Sequence, residues 1–157
     1  MTQGPFSGGC QCGAVRFRVE RLGNGSICHC RMCQKAFAGF FGPLVTSYGL
    51  TWTRGEPRYF QSSNRVRRGF CADCGTQLTY EYGAEPEVAI GAFDNPEVAG
   101  PVIQVNPADK LSFFDGLASL PTRRPDEQLE HETFKTTIVS YQHPDHDSAV
   151  WPPERRP

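Results

Sequence analysis

The sequence predicts a mainly β protein of short strands, with one short helix and with cysteines grouped so that they can grip a metal. Three observations lead there. Sixteen glycines and thirteen prolines in 157 residues interrupt nearly every stretch long enough for a helix. The apolar residues between these breaks tend to alternate with polar ones, the period of a strand with one buried face. Seven cysteines fall into three tight groups, Cys10/Cys12, Cys28/Cys30/Cys33 and Cys71/Cys74.

Ala14 to Glu20 carries the pattern best: Val15, Phe17 and Val19 share one face, while Arg16, Arg18 and Glu20 share the other, which is expected to be wet. Gly13 and Gly75, each directly after a cysteine, suit turns that wrap a metal and need positive φ. Arg31 to Ala38 is the clearest helix. Strands are expected at Pro43 to Tyr48, Leu50 to Thr53, Arg58 to Ser62, Val66 to Phe70, Gln77 to Tyr82, Val88 to Phe93 and Val102 to Val105. From Pro121 the chain turns polar and proline-flanked, which reads as a linker or peripheral arm, with an edge strand at Phe134 to Tyr141. Gln142 to Pro157 holds four prolines and little core material and reads as a loosely held tail. Residues 1–120 are therefore expected to form the functional domain and 121–157 a partly peripheral extension.

With 16 basic and 17 acidic residues the net charge is −1, so no global field draws the chain to nucleic acid or to a membrane surface. The N-terminus lacks the basic start and apolar run of a signal peptide, and no segment approaches the ~20 apolar residues of a membrane span. The expectation is a cytoplasmic protein without membrane or nucleic-acid partners. In a reducing cytosol an odd set of seven cysteines points to metal or redox chemistry rather than to disulfides.

Each C-x-C on an extended segment presents two sulfurs on one face, and C-x-x-C does so across a knuckle. The economical partition joins Cys10, Cys12, Cys71 and Cys74 into a closed four-thiolate zinc site and leaves Cys28, Cys30 and Cys33 around a second zinc. Three protein ligands with an open fourth position are the usual arrangement of catalytic zinc. His29 is the rival for that position, but strand alternation aims it away from its two flanking cysteines. Buried thiols without metal, or a redox dithiol at Cys71/Cys74, are the competing readings.

Four segments, "GGCQCGAVRF", "CHCRMCQKAF", "FCADCGTQLTY" and "GAFDNPE", follow in order the pattern of the glutathione-dependent formaldehyde-activating (GFA) enzyme family. The resemblance covers about Gly8 to Leu120. It implies a beta-tent of small antiparallel sheets, a structural zinc on Cys10, Cys12, Cys71 and Cys74, and a catalytic-type zinc on Cys28, Cys30 and Cys33. It also implies a carbon–sulfur lyase that joins a glutathione-like thiol to formaldehyde as S-hydroxymethylglutathione. The chain departs from the family at Gln104 and Leu111, where a histidine and a tryptophan are expected.

An anionic thiol substrate needs cations near the metal. Arg31 and Lys35 border the triplet, and Arg54, Arg58, Arg65, Arg67 and Arg68 form a second group opposed only by Glu56. Arg31, Lys35 and Arg68 are the substrate-binding candidates, and Phe37, Phe40 and Phe41 could line a pocket beside the metal. The alternative function is a non-catalytic zinc-stapled β module that binds a protein or nucleic-acid partner. Methionine sulfoxide reduction would need a further cysteine in the C-terminal half, and none follows Cys74.

Overall fold

A computed structural model describes residues 1–150, and these build one mainly antiparallel sheet of nine strands. In chain order the elements are β1 (Thr2–Gly9), β2 (Arg16–Cys28), α1 (Arg31–Phe37), β3 (Gly42–Tyr48), β4 (Thr51–Arg54), β5 (Arg58–Gln61), β6 (Arg67–Phe70), β7 (Gln77–Glu81), β8 (Glu87–Ala89), β9 (Pro101–Val105) and α2 (Pro125–Lys135). The sheet order is β1-β2-β3-β8-β7-β6-β5, with β4 and β9 both paired to β2.

The long strand β2 organises the molecule. Its first half pairs with β1 and β4, and its second half pairs with β3 and, in parallel, with β9. This last register sets Cys28 beside Val105, so the end of β9 reaches the cysteine triplet. The predicted alternation holds at the core: Val15, Phe17 and Val19 are buried with Leu22, Val45, Leu78, Val88 and Phe93. Phe17 meets Trp52 and Phe93 edge-on, at centroid distances of 6.2 and 5.2 Å, a favourable aromatic geometry.

The structure corrects several expectations. Arg16 is not on a wet face; it is 2% exposed, because two carboxylates pair with it. Its Nη1 and Nη2 donate to Asp94 at 2.7 and 2.6 Å, and its Nε and Nη2 donate to Asp147. β1, rich in glycine and interrupted by Pro5, was not expected as a strand; it lies at the sheet edge, where proline is tolerated. Strand character stops at Ala89, and residues 90–92 form a short 3-10 turn inside the expected Val88 to Phe93 strand.

The expected linker after Pro121 contains α2. Pro125 opens it, Asp126 and Glu127 occupy its first turn, and the Glu127 carboxylate accepts from the Arg124 N–H. These are helix-start signals that also resemble a solvated linker, and α2 buries none of its residues. Phe134 to Tyr141 is not an edge strand: its first two residues end α2 and the rest is turn and irregular chain.

The tail expected to be loose is pinned over residues 142–148, while 151–157 lie outside the described residues. His143 is 3% exposed, and its N–H donates to the Gln11 carbonyl at 2.8 Å. Arg54 reaches both the His143 ring and the Ser148 carbonyl. The segment therefore straps the tail onto the turn between Cys10 and Cys12. No helix among the described residues is long and apolar enough to cross a membrane.

Candidate metal centres and the adjoining cleft

The seven sulfurs gather into two groups, Cys10/Cys12/Cys71/Cys74 and Cys28/Cys30/Cys33, and within each group every sulfur lies within 4.8 Å of the others. All seven cysteines are free thiols. Sulfur separations of 3.5 Å for Cys10–Cys12, 3.8 Å for Cys12–Cys71 and 3.5 Å for Cys28–Cys30 are far beyond a disulfide bond. They fit a tetrahedral thiolate centre, for which a Zn–S bond of ~2.3 Å requires sulfurs roughly 3.8 Å apart. Both groups could hold a metal ion.

The four-sulfur group is built by two knuckles with the same backbone logic. Gly13 (φ 76°) donates to the Cys10 carbonyl, and Gly75 (φ 78°) donates to the Cys71 carbonyl, so both glycines take the left-handed conformation that their positions required. The Gln11 N–H donates to Thr76 Oγ1 at 3.0 Å and ties the knuckles together. Cys71 and Cys74 are thus not an isolated dithiol; they face Cys10 and Cys12. Burial raises the Cys10 thiol well above its ordinary value. Burial also acts on Cys74, but the Thr76 hydroxyl, the Thr76 backbone and Cys12 outweigh it and bring Cys74 down to about 6.

The three-sulfur group sits where β2 runs into α1. Cys30 is the N-cap of that helix, and its sulfur accepts from the Cys33 N–H, which orients both thiols. Two donors approach the sulfurs from elsewhere: Arg68 Nη2 at 3.5 Å from Cys33 Sγ, and Asn106 Nδ2 at 3.4 Å from Cys28 Sγ. Burial pushes the Cys33 thiol up to about 12 although Arg68 pulls it down, so this sulfur stays protonated unless a stronger cation, such as a metal, displaces the proton. In Cys30 the same burial is outweighed by the Cys33 N–H and by Cys28, and its thiol is lowered.

His29 is not among the grouped sulfur ligands. It is fully buried, edge-on to Phe114 at 4.7 Å, and its Nε2 faces Gln104 Oε1 at 3.0 Å. Nε2 is therefore the protonated nitrogen, and Nδ1 is left buried without a hydrogen-bond partner. Gln34 Nε2 donates to the carbonyls of His29 and Asp109, tying the triplet loop to the turn after β9. Asn106 (φ 53°) and Gln34 carried no signal of this role in the sequence. Only the parallel β2–β9 pairing brings residues near 105 to Cys28.

The arginines expected near the metal separate. Arg54 holds the C-terminal strap, and Arg67 pairs with Glu81 at 2.7 Å. Arg68, its neighbour on β6, alternates to the other face and is 4% exposed. Arg31, Lys35 and Arg68, the three substrate candidates, line one cleft of about 550 Å³ between α1 and strands β5 to β7. Phe41 packs instead on His29 and Phe114, and Phe40 packs on Phe113.

One four-cysteine group and one three-cysteine group thus sit on a mainly β sheet. Residues 5–108 match the family described as glutathione-dependent formaldehyde-activating enzyme, and the chain belongs to it. A structural-genomics crystal structure of a Rhodobacter sphaeroides protein shares the fold with a TM-score of 0.52 at 24% identity. The match covers 63% of this chain and 99% of that one.

Proposed function

We propose that the chain is a zinc-dependent carbon–sulfur lyase/synthase that acts on a glutathione-like thiol and formaldehyde or a related adduct. The observation that carries the reading is the division of seven sulfurs into one complete set of four and one set of three. Zinc on Cys10, Cys12, Cys71 and Cys74 would be structural, closing residues 1–120 as the catalytic unit, with residues 121–157 an extension. Cys28, Cys30 and Cys33 would hold a second zinc, which would supply the positive charge that makes a nearby thiol easier to deprotonate.

Residues of the chain do the rest. Arg68 and Asn106 donate to Cys33 and Cys28 and spread the negative charge of three thiolates. The capped turn at Cys30 and the Gln34 bridge keep the three sulfurs converged before any ligand arrives. Arg31 and Lys35 stand at the adjoining cleft to receive a carboxylate. In the reaction the thiol sulfur forms a bond to the formaldehyde carbon, the carbonyl π pair moves to oxygen, and the oxygen takes up the thiol proton. The reverse breaks the same carbon–sulfur bond.

The test is calorimetric titration of the zinc-loaded protein with glutathione, using S-methylglutathione as the thiol-blocked control. Wild type is expected to bind glutathione, to refuse the blocked analogue, and to lose glutathione binding in Cys30→Ser while the fold survives. Equal binding in all three arms overturns the catalytic site and puts the zinc-stapled binding module ahead.

A further inference from the structure

We propose that the cleft beside α1 binds an organic anion whose body is apolar: a carboxylate with an aliphatic or aromatic remainder. The proposal deepens the foregoing reading, on which it rests for the chemistry at the sulfurs, and names the class of ligand that the neighbouring surface accepts beside them.

Charge speaks first. Among the described residues, Arg31, Lys35 and Arg68 are the ionisable side chains lining the cleft, and no carboxylate lines it. None of the three forms an ion pair with a carboxylate among the described residues. Arg31 donates to Gln34, and Arg68 donates to Ser62 and Cys33. Arg68 answers the three-cysteine group through Cys33, whereas Arg31 and Lys35 have no counter-charge there, and two such cations fit an anion.

The walls speak next. Met32 and Ala36 from α1 face Phe60 and Phe70 from the β5–β6 hairpin across the cleft. Met32 and Phe60 are large apolar side chains left 48% and 61% exposed. A cleft of about 550 Å³ is of ordinary small-ligand size (~300–1,000 Å³), with apolar walls and few polar groups to orient the occupant. An alkyl or aryl body would bury against these walls.

Position joins the cleft to the sulfurs. Arg31 and Met32 are the two residues between Cys30 and Cys33, and Arg68 spans from the cleft lining to Cys33 Sγ. An occupant held by its carboxylate at Arg31 and Lys35, with its body along Phe60 and Met32, lies within the same few side chains as the three-cysteine group.

The experiment titrates the zinc-loaded full chain with 4-phenylbutyrate, which has the charge and the body but no thiol. Its comparison compounds are 4-phenylbutylamine, with the same body and opposite charge, and succinate, with charge but no body. 4-Phenylbutyrate is expected to bind one to one, and the other two at least about tenfold more weakly. Lys35→Glu and Phe60→Asp, both at exposed positions, are each expected to weaken 4-phenylbutyrate about tenfold or more without moving the melting temperature. Cys30→Ser is expected to leave it bound. Undetectable binding of 4-phenylbutyrate, equal binding of the amine or succinate, or loss of binding in Cys30→Ser but not in Phe60→Asp overturns the inference. If glutathione still requires Cys30, the proposed function then stands without it. Retention of 4-phenylbutyrate binding in a protein that ignores glutathione keeps the cleft and removes the proposed function.

Discussion

Arg68 Nη2 stands 3.5 Å from Cys33 Sγ, and the guanidinium lies over the Tyr80 ring at 4.8 Å, so a buried cation is fixed against one sulfur of the three-cysteine group from a strand 35 residues away. Three thiolates around a dication leave a net negative charge in a poorly solvated place, and a guanidinium hydrogen-bonded to one of them offsets it.

Arg68→Met is therefore expected to weaken one of two bound zinc ions by about 10- to 100-fold, the range for lost partners of metal ligands. The other ion should be unaffected, because the four-cysteine group receives nothing from Arg68. Competition with a chromophoric chelator, resolving two release steps, checks this. Equal weakening of both steps would mean that Arg68 acts through the fold rather than on Cys33.

Cys74→Ser removes one sulfur from the group that ties the turn at Gly13 to the turn at Gly75. Structural zinc contributes on the order of 10 kcal/mol or more to folding in small zinc domains, so this variant is expected to be insoluble or to lack a cooperative thermal transition. Zinc content and a melting curve decide it. A soluble variant with two zinc ions and an unchanged melting temperature would show that Cys74 is not a ligand.

What was legible in the sequence was local. The cysteine spacing and the glycines after Cys12 and Cys74 are short-range constraints: the sulfurs gather into the two expected groups, and both glycines take positive φ. The alternation of Val15, Phe17 and Val19 is equally local. Arg16 broke the same pattern because its burial depends on carboxylates 78 and 131 residues away, which no window around Arg16 contains. Gln104 was visible only as a departure from the family pattern. Its partner, His29, became evident once β9 was seen to run parallel to β2. α2 escaped because a helix without a buried face has the composition of a linker.

The Arg16 pairs carry a stability prediction of their own. Asp94 is 12% exposed, also accepts from Ser7, and is held below the usual carboxylate range by Arg16 and Ser7 against the opposing effect of burial. Its stabilisation is therefore present above the unfolded value of about 3.9 and lost as pH falls from there through the lower folded value. Asp94→Asn leaves Arg16 with Asp147 alone and is expected to cost about 3 kcal/mol, the low end for breaking a buried pair. Urea denaturation of both proteins at neutral pH measures it. A cost near zero would show that Asp147 and solvent suffice for Arg16.

The strap over residues 142–148 should respond to pH at a higher value. In His143 the Nδ1 faces the Pro144 carbonyl at 2.7 Å, and Nε2 faces Arg54 Nη1 at 3.2 Å. A carbonyl only accepts and a guanidinium only donates, so Nδ1 carries the proton and Nε2 is the acceptor. Protonating Nε2 would turn an acceptor into a donor aimed at a cation. Burial and the nearby Arg16 and Arg54 accordingly lower the His143 value, despite the Pro144 carbonyl and Asp94, which favour the charged ring. A lowered folded value means that the unfolded strap binds the proton more readily. The stabilisation is thus complete above about pH 6.5 and is lost as pH falls from there through the folded value. Amide exchange at the His143 N–H, which donates to the Gln11 carbonyl, reports this opening directly. Corrected for intrinsic rates, its protection is expected to fall between pH 7 and pH 5, while amides of β2 keep theirs. His143→Gln retains an acceptor without a titrating ring and is expected to flatten that dependence. If wild type and His143→Gln lose protection together, acid acts through another group and not through the histidine.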